Sequence, residues 1–163
     1  MRKVMLLGML LAGTARAERV AVLSAGAGAR TLYHTPFLGG QVGAGVGTEG
    51  PRGAWYLTLD GLLGASESRL MMGHVKFGAA GEWRVSEHLR LGCGADWGPL
   101  AIRRATHDQD LWTVTIGTYG SLSADIANWS GSALYFNTRL GIEGALGAPT
   151  PIFDGTLGLG IRL

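Results

Sequence analysis

The last nine residues of the chain, 155–163, alternate strictly between two kinds of side chain. One parity is apolar and the other is small or charged, with Leu157, Leu159, Ile161 and Leu163 set against Gly158, Gly160 and Arg162. Because successive side chains of a strand point to opposite faces, this pattern predicts a β-strand with one apolar face. No polar tail protects the edge of this strand, so we expect it to pair with the first strand of the mature chain and close a barrel.

The same alternation recurs along the chain, whereas no segment after Gly13 sustains a helical period. It predicts seven further strands, at 19–29, 37–47, 55–63, 74–84, 89–98, 112–122 and 134–143. Alternating Ala and Gly leave the register of the first strand open. The sequence thus predicts one all-β domain of eight antiparallel strands joined by short connections, among them 30–36, 64–70, 99–110, 124–131 and 147–154.

The first seventeen residues have the pattern of an export signal. A basic start is followed by the short apolar run 4–13 and by the small-x-small sequence Ala15-Arg16-Ala17. About ten apolar residues are too few for a membrane-spanning helix. We therefore expect a cleaved signal peptide at 1–17 and a mature domain at 18–163. Cleavage would lower the basic residues from 14 to 11 against 12 acidic ones, which leaves no basic patch for nucleic acid.

The two faces of the predicted strands differ in a way that favours a membrane barrel. In predicted strands two to eight, the residues of the apolar parity include no charged side chain. On the opposite parity, glycines lie between charged residues. Glycine accounts for 28 of 163 residues, against a usual share of about 7%. Glycines on a solvated surface would weaken the strands and cover no apolar area. In a narrow lumen, by contrast, small residues are needed between long side chains. The polar face is therefore predicted to point inward and the apolar face toward lipid.

Four tryptophans share the apolar parity and are predicted to lie near strand ends. Trp55 and Trp83 adjoin the expected periplasmic turns, and Trp97 and Trp112 flank the polar connection 99–110. Aromatic residues at both margins of an apolar band are typical of the interfacial girdles of membrane barrels.

Together, the export signal, the alternating strands, the tryptophans and the terminal strand resemble the small eight-stranded bacterial outer-membrane β-barrels of the OmpA/OmpX type. The resemblance implies an up-and-down transmembrane barrel in a Gram-negative cell envelope, with both termini periplasmic and insertion by the barrel assembly machinery. Terminal strands of that class usually end on an aromatic residue, and Leu163 departs from the pattern.

The inward face gathers acids and bases in nearly equal number. We expect them to form an ion network, because a charge in a low-dielectric lumen is costly unless it is paired. Eight strands enclose an interior about wide enough for side chains alone, so we expect a filled lumen, with a narrow ion path as the alternative. The expected network comprises Asp60, Lys76, Glu82, Arg90, Asp96, Arg139, Glu143 and Arg162.

Catalytic and metal chemistry have little support in the sequence. A hydrolase needs a nucleophile beside a histidine and an acid, yet no Gly-x-Ser-x-Gly motif accompanies the candidate histidines or serines. The single cysteine, Cys93, excludes an internal disulfide, and His107 with Asp108 and Asp110 is as well explained by a polar loop. We expect no enzymatic activity, cofactor or metal site. The candidate catalytic residues would be His74, His88 and His107 with Ser66, Ser68, Ser121 or Ser130.

The expected role is therefore structural or interaction-based in the outer membrane. Partners would be outer-membrane lipids and lipopolysaccharide, and the assembly machinery during insertion. Arg103 and Arg104, beside Asp108 and Asp110, could meet lipopolysaccharide phosphates or a partner protein, or could belong to an ordinary solvated loop. The main alternative is an exported soluble barrel of lipocalin-like build that binds a small apolar ligand. A narrow pore and a lipid-A-modifying enzyme are further alternatives.

Overall fold

The computed structural model describes residues 18–32, 34–104, 110–147 and 151–163. They form eight antiparallel strands that close into one barrel in the order β1 to β8, with β1 paired to β8. This confirms the predicted all-β, eight-stranded class; the expected signal peptide lies outside the described residues. Within the described ranges no helix is long and apolar enough to cross a membrane. The strands are β1 Glu18–Leu32, β2 Thr35–Gly50, β3 Gly53–Ala65, β4 Leu70–Arg84, β5 Leu89–Arg104, β6 Asp110–Trp129, β7 Ser132–Ala145 and β8 Pro151–Arg162.

Burial alternates with the parity of each strand and shows which face is inside. In β8, Leu157 and Leu159 are 58% and 52% exposed, whereas Arg162 is only 4% exposed. Large apolar side chains thus cover the outside, and charged side chains point to the inside. This arrangement is the reverse of a soluble barrel, whose apolar side chains form the core.

The strands are longer than the apolar alternation predicted, and several predicted connections are therefore wrong. The predicted connection 124–131 shrinks to the two-residue turn 130–131, because β6 continues to Trp129 through a bulge between Asp125 and Ala127. At the other end of the barrel, Arg30 lies inside β1 and Asp154 inside β8 rather than in outer connections. Backbone pairing between neighbouring strands extends past the apolar band. The polar residues beyond this band therefore belong to strands, although their sequence is typical of connections.

The closing seam joins the two strands at the ends of the described chain. β1 pairs with β8 from Val22↔Arg162 to Thr31↔Phe153, and the backbones of Ala21 and Leu163 exchange two further hydrogen bonds. This pairing confirms the expectation for the terminal strand and fixes the open register of β1. Its even-numbered residues, from Val20 to Leu32, face the lumen.

Inward glycines allow side chains and neighbouring strands to fit the narrow interior. A Cβ at Gly47 would lie 1.7 Å from the carbonyl oxygen of Trp55, and one at Gly98 would lie 1.8 Å from that of Val75. No real Cβ sits so close to another atom, so the backbone would have to shift. At these two positions, close packing of the strands therefore requires glycine.

Candidate functional site

The lumen contains the described residues with the most distinctive chemistry. We call the end with the termini and the turns at 51–52, 85–88 and 130–131 the turn end, and the opposite end the loop end. From the loop end to the turn end, the inward side chains form an apolar plug, a first ion cluster, a small polar cavity and a second ion cluster.

The apolar plug is a cluster of buried apolar side chains in the lumen at the loop end. Its members come from seven of the eight strands, and each is at most 8% exposed. Each has the same parity as an inward polar residue of its strand, as Leu62 does with Asp60 and Ile152 with Asp154. That parity is the signal by which the sequence could have revealed the plug. The plug comprises Leu32, Phe37, Leu62, Met72, Leu100, Ala145 and Ile152.

The loop-side cluster lies directly below the plug and is centred on Glu143. Its carboxylate accepts hydrogen bonds from Arg30, at 2.5 Å, and from the Lys76 ammonium. The same two cations reach Asp154, at 3.3 Å from Arg30 and 2.8 Å from Lys76. All four side chains are at most 4% exposed, so each charge is balanced inside the protein.

Arg139 extends this cluster toward the middle of the barrel. It donates to Asp96 and, at 3.2 Å, to Asp60, while its guanidinium lies 3.5 Å from the centre of the Tyr119 ring. Lys76 lies 3.7 Å from Asp96 and so links the two halves of the cluster. One arginine thus bridges two buried carboxylates while stacking on an aromatic face.

His74 occupies the edge of the loop-side cluster and is 2% exposed. Arg30 donates to its Nδ1, and its Nε2 lies 3.0 Å from the hydroxyl of Thr115. An imidazole that accepts at Nδ1 carries its proton on Nε2 and is neutral. The Nδ1 side also lies 3.9 Å from Glu143, but Arg30 holds the position that a triad acid would need.

The turn-side cluster is built around Arg162 and Glu49. Arg162 donates to Asp125 at 2.9 Å and to Glu82 at 3.1 Å, and its guanidinium lies 4.9 Å from the ring centre of Tyr135. Glu49 accepts from Arg90 and from Arg84, each at 2.7 Å. This cluster faces a vestibule of about 500 Å³ at the turn end.

The polar cavity between the two clusters is small, about 90 Å³. Hydroxyls and rings of Tyr56, Tyr119 and Tyr135 border it, together with the Asp60 carboxylate. Water molecules take about 30 Å³ each in the liquid, so the cavity has room for a few of them.

All eight residues predicted for the ion network face the lumen and lie in these two clusters. Asp60, Lys76, Asp96, Arg139 and Glu143 fall in the loop-side cluster, and Glu82, Arg90 and Arg162 fall in the turn-side cluster. Arg162 pairs with the acids Asp125 and Glu82 and not with Glu143, which belongs to the other cluster. Sequence reasoning also missed four members that lie in longer strands than predicted: Arg30, Glu49, Asp125 and Asp154.

The predicted girdle tryptophans all face outward, but they do not all lie at the margins. Trp55 and Trp83 lie near the turn end, and Trp112 lies near the loop end. Trp97 lies in the middle of β5, with its ring 5.5 Å from that of Phe77, so its marginal placement is wrong. The predicted strand 89–98 ends before Pro99, whereas β5 runs on to Arg104. Pro99 continues β5 opposite an interruption of the β4–β5 ladder, where its missing N–H is tolerated.

The structure does not bring the candidate catalytic residues together. Ser66 and Ser68 contact each other in the β3–β4 connection, and His88 and Ser130 lie in turns at the opposite end. Ser121 borders the central cavity, away from His74. Among the described residues no His, Cys, Asp and Glu cluster fits a metal ion, and His107 and Asp108 lie outside those residues.

No protein-family model matches the sequence, and no curated protein matches it significantly. Solved structures do match the fold. Neisserial surface protein A has a TM-score of 0.61 at 12% identity, covering 90% of this chain and 97% of that one. Ail, the attachment invasion locus protein of Yersinia pestis, has a TM-score of 0.61 at 12% identity, covering 90% and 99%. The N-terminal barrel domain of Pseudomonas aeruginosa OprF has a TM-score of 0.58 at 11% identity, covering 91% and 100%. The chain therefore has the fold of the small eight-stranded outer-membrane β-barrels.

Proposed function

We propose that the protein is an integral outer-membrane barrel with a structural or interaction role and a filled lumen. The observation that carries the proposal is the inside-out distribution of its side chains. Large apolar residues on all eight strands are exposed on the outside, whereas buried arginines, lysine and carboxylates pair inside. Such an exterior is stable in hydrocarbon and unfavourable in water.

The filled lumen is supported by two kinds of barrier in series. At the loop end, the apolar plug includes Leu100 and Ile152, which are both 0% exposed. Below it, Arg30, Lys76 and Arg139 are each held by two or more carboxylates. An ion crossing this lumen would have to displace apolar side chains and separate buried ion pairs, so we propose that the resting barrel does not conduct.

The charged interior also argues against the lipocalin-like alternative. A barrel that binds an apolar ligand needs an apolar internal cavity, whereas the enclosed cavity here is about 90 Å³ and bordered by Asp60, Arg139 and three tyrosines.

We further propose a role without catalysis. Within the described part of the chain, the nearest approach to a catalytic group is the Thr115–His74 pair, and Thr115 is 0% exposed beneath the plug. The partners proposed instead are outer-membrane lipids and lipopolysaccharide along the apolar exterior, and the barrel assembly machinery at the terminal strand. Both termini would then lie on the periplasmic side, at the turn end.

Membrane fractionation tests the proposed location. We expect the protein to stay with outer membranes after carbonate or urea extraction, and to migrate faster on a gel when unheated than when boiled. Release by carbonate or urea would contradict an integral barrel and favour the soluble alternative.

Planar bilayers test the filled lumen. The refolded wild-type protein is expected to give no large, stable single-channel steps. As a matched comparison, Phe37→Ser, in the plug, should raise the frequency of brief openings relative to Phe153→Ser on the outer face, because Phe37 is 1% exposed in the lumen and Phe153 is 54% exposed outside. Stable conductance of the wild type would refute the filled lumen.

A further inference from the structure

The outer face of the barrel carries an apolar groove near the loop end, with a volume of about 740 Å³. Three outward-facing glycines, Gly40, Gly61 and Gly73, lie on the adjacent strands β2, β3 and β4 and leave its floor without side chains. The register alternates glycines with larger residues: Leu63 pairs with both Gly40 and Gly73. The volume lies within the range of about 300–1,000 Å³ typical of small-molecule sites.

Barrel packing does not require these three glycines. A Cβ at Gly40, Gly61 or Gly73 would find its nearest neighbour at 3.9, 3.8 or 3.7 Å, which is ordinary contact. The inward Gly47, where a Cβ would lie 1.7 Å from a carbonyl oxygen, is a clear contrast. Outward glycines with similar room also occur at 81, 120 and 144. Gly40, Gly61 and Gly73 differ in lying on three adjacent strands, where together they open one groove.

The mouth of the groove toward the loop end has a different chemistry. Ala101 lines the groove, and Arg103 is the next outward residue of β5, beside the end of the strand. The Arg103 side chain is 63% exposed, and its Nε lies 3.6 Å from Asp110, as expected of a loose surface pair. Trp112, which pairs with Ala101, borders the same mouth and is 67% exposed. An apolar trough thus ends at an arginine and an interfacial tryptophan.

We propose that this groove binds an acyl chain of a membrane lipid with a negatively charged phosphate headgroup, and that Arg103 binds the phosphate. The proposal rests on the outer-membrane function above and specifies one lipid site within it. The groove matches the chain in polarity and shape, and an arginine at its mouth matches the headgroup in charge. A second copy is a poorer occupant, because a two-fold contact here would bring the Arg103 side chains of both copies to one level of the interface.

Native mass spectrometry of the protein refolded in detergent micelles tests the site. The probes are diphosphoryl lipid A, which is anionic, and phosphatidylcholine, which has no net charge. We expect wild type to retain one lipid A, and Gly61→Leu to bind it at least about tenfold more weakly because the new side chain occupies the groove. The matched control is Gly144→Leu, which fills an outward glycine of β7 with nothing within 4 Å and should bind like wild type.

Arg103→Gln separates the headgroup from the chain. It should weaken lipid A binding strongly and phosphatidylcholine retention much less, because the phosphate of phosphatidylcholine is already balanced by its own choline ammonium. Gel mobility before and after heating establishes that each variant folds.

Three outcomes would overturn the inference. Equal lipid A binding by Gly61→Leu and Gly144→Leu would exclude the groove. A wild-type dimer that Gly61→Leu dissociates would assign the groove to a second copy. Absence of retained lipid A in a protein that resists carbonate extraction would remove the site while leaving the proposed outer-membrane function intact.

Discussion

Replacing Arg139 by leucine should be among the most damaging single changes in the lumen. Arg139 is 7% exposed and is the residue that joins Asp60 to Asp96, which are 8% and 3% exposed. Arg139→Leu leaves two buried carboxylates, with only Lys76 near one of them, at 3.7 Å. Breaking a buried ion pair by removing one partner costs about 3–5 kcal/mol, because the remaining charge stays uncompensated.

The origin of this loss can be separated from lost packing by changing the acids too. In an Asp60→Asn, Asp96→Asn background no buried negative charge remains at this position, so Arg139→Leu should cost less than about 2 kcal/mol, the scale of its hydrogen bonds. The coupling energy in the cycle is then the stabilisation that depends on charge. A surface comparison is Arg103→Leu, expected to change stability by at most about 1 kcal/mol because its pair with Asp110 is exposed.

The assay is urea titration of the refolded barrel in lipid vesicles, followed by tryptophan fluorescence and by gel mobility without heating. The proposed role of Arg139 would be refuted if Arg139→Leu lowered the free energy of unfolding no more than Arg103→Leu does. An equal loss with and without the two aspartates would also refute it, since the cluster would then contribute only packing.

Two further predictions concern the outer face and the close approach of strands. Leu159→Arg, on the lipid side of β8, should cost about 2–4 kcal/mol in vesicles and reduce assembly, whereas Leu163→Arg, at the turn-end margin, should cost about 0–1 kcal/mol; similar costs would contradict a bilayer around β8. Gly47→Ala should greatly reduce the heat-modifiable fraction, because its Cβ would lie 1.7 Å from the Trp55 carbonyl oxygen, whereas Gly144→Ala, with nothing within 4 Å, should fold like wild type; normal folding of Gly47→Ala would show that the strands can separate.

The sequence predicted the architecture because period-two alternation is a local property. Leu157, Leu159 and Ile161 each have their own parity, and parity assigns the face without knowledge of any partner. The same argument placed all eight expected charged residues inside the lumen. The same parity argument predicts that the apolar plug faces inward, since Phe37 shares its parity with the inward Gln41.

The sequence alone could not predict which charged residues far apart in the chain form pairs. Arg162 pairs with Asp125 and Glu82 because β8 ends at the level of the β6 bulge and the end of β4. That level depends on the stagger of the strands around the whole barrel, which no single strand specifies. The sequence did not predict Arg30 and Asp154 as members of the ion network for a related reason. Polar residues beyond the apolar band are typical of loops, and only the pairing of β1 with β8 shows that these two lie in strands.

The seam between β1 and β8 constrains the order of events in assembly. Its partners, from Val22↔Arg162 to Thr31↔Phe153, come from opposite ends of the described chain, so this pairing has the largest loop-closure cost and cannot begin before the last strand is made. Until it forms, both strands present an unpaired row of N–H and C=O groups, and each such group costs several kcal/mol in hydrocarbon. A partly closed sheet is therefore excluded from the bilayer core. We therefore expect closure and insertion to proceed together, with the β1–β8 ladder as the last strand pairing to form.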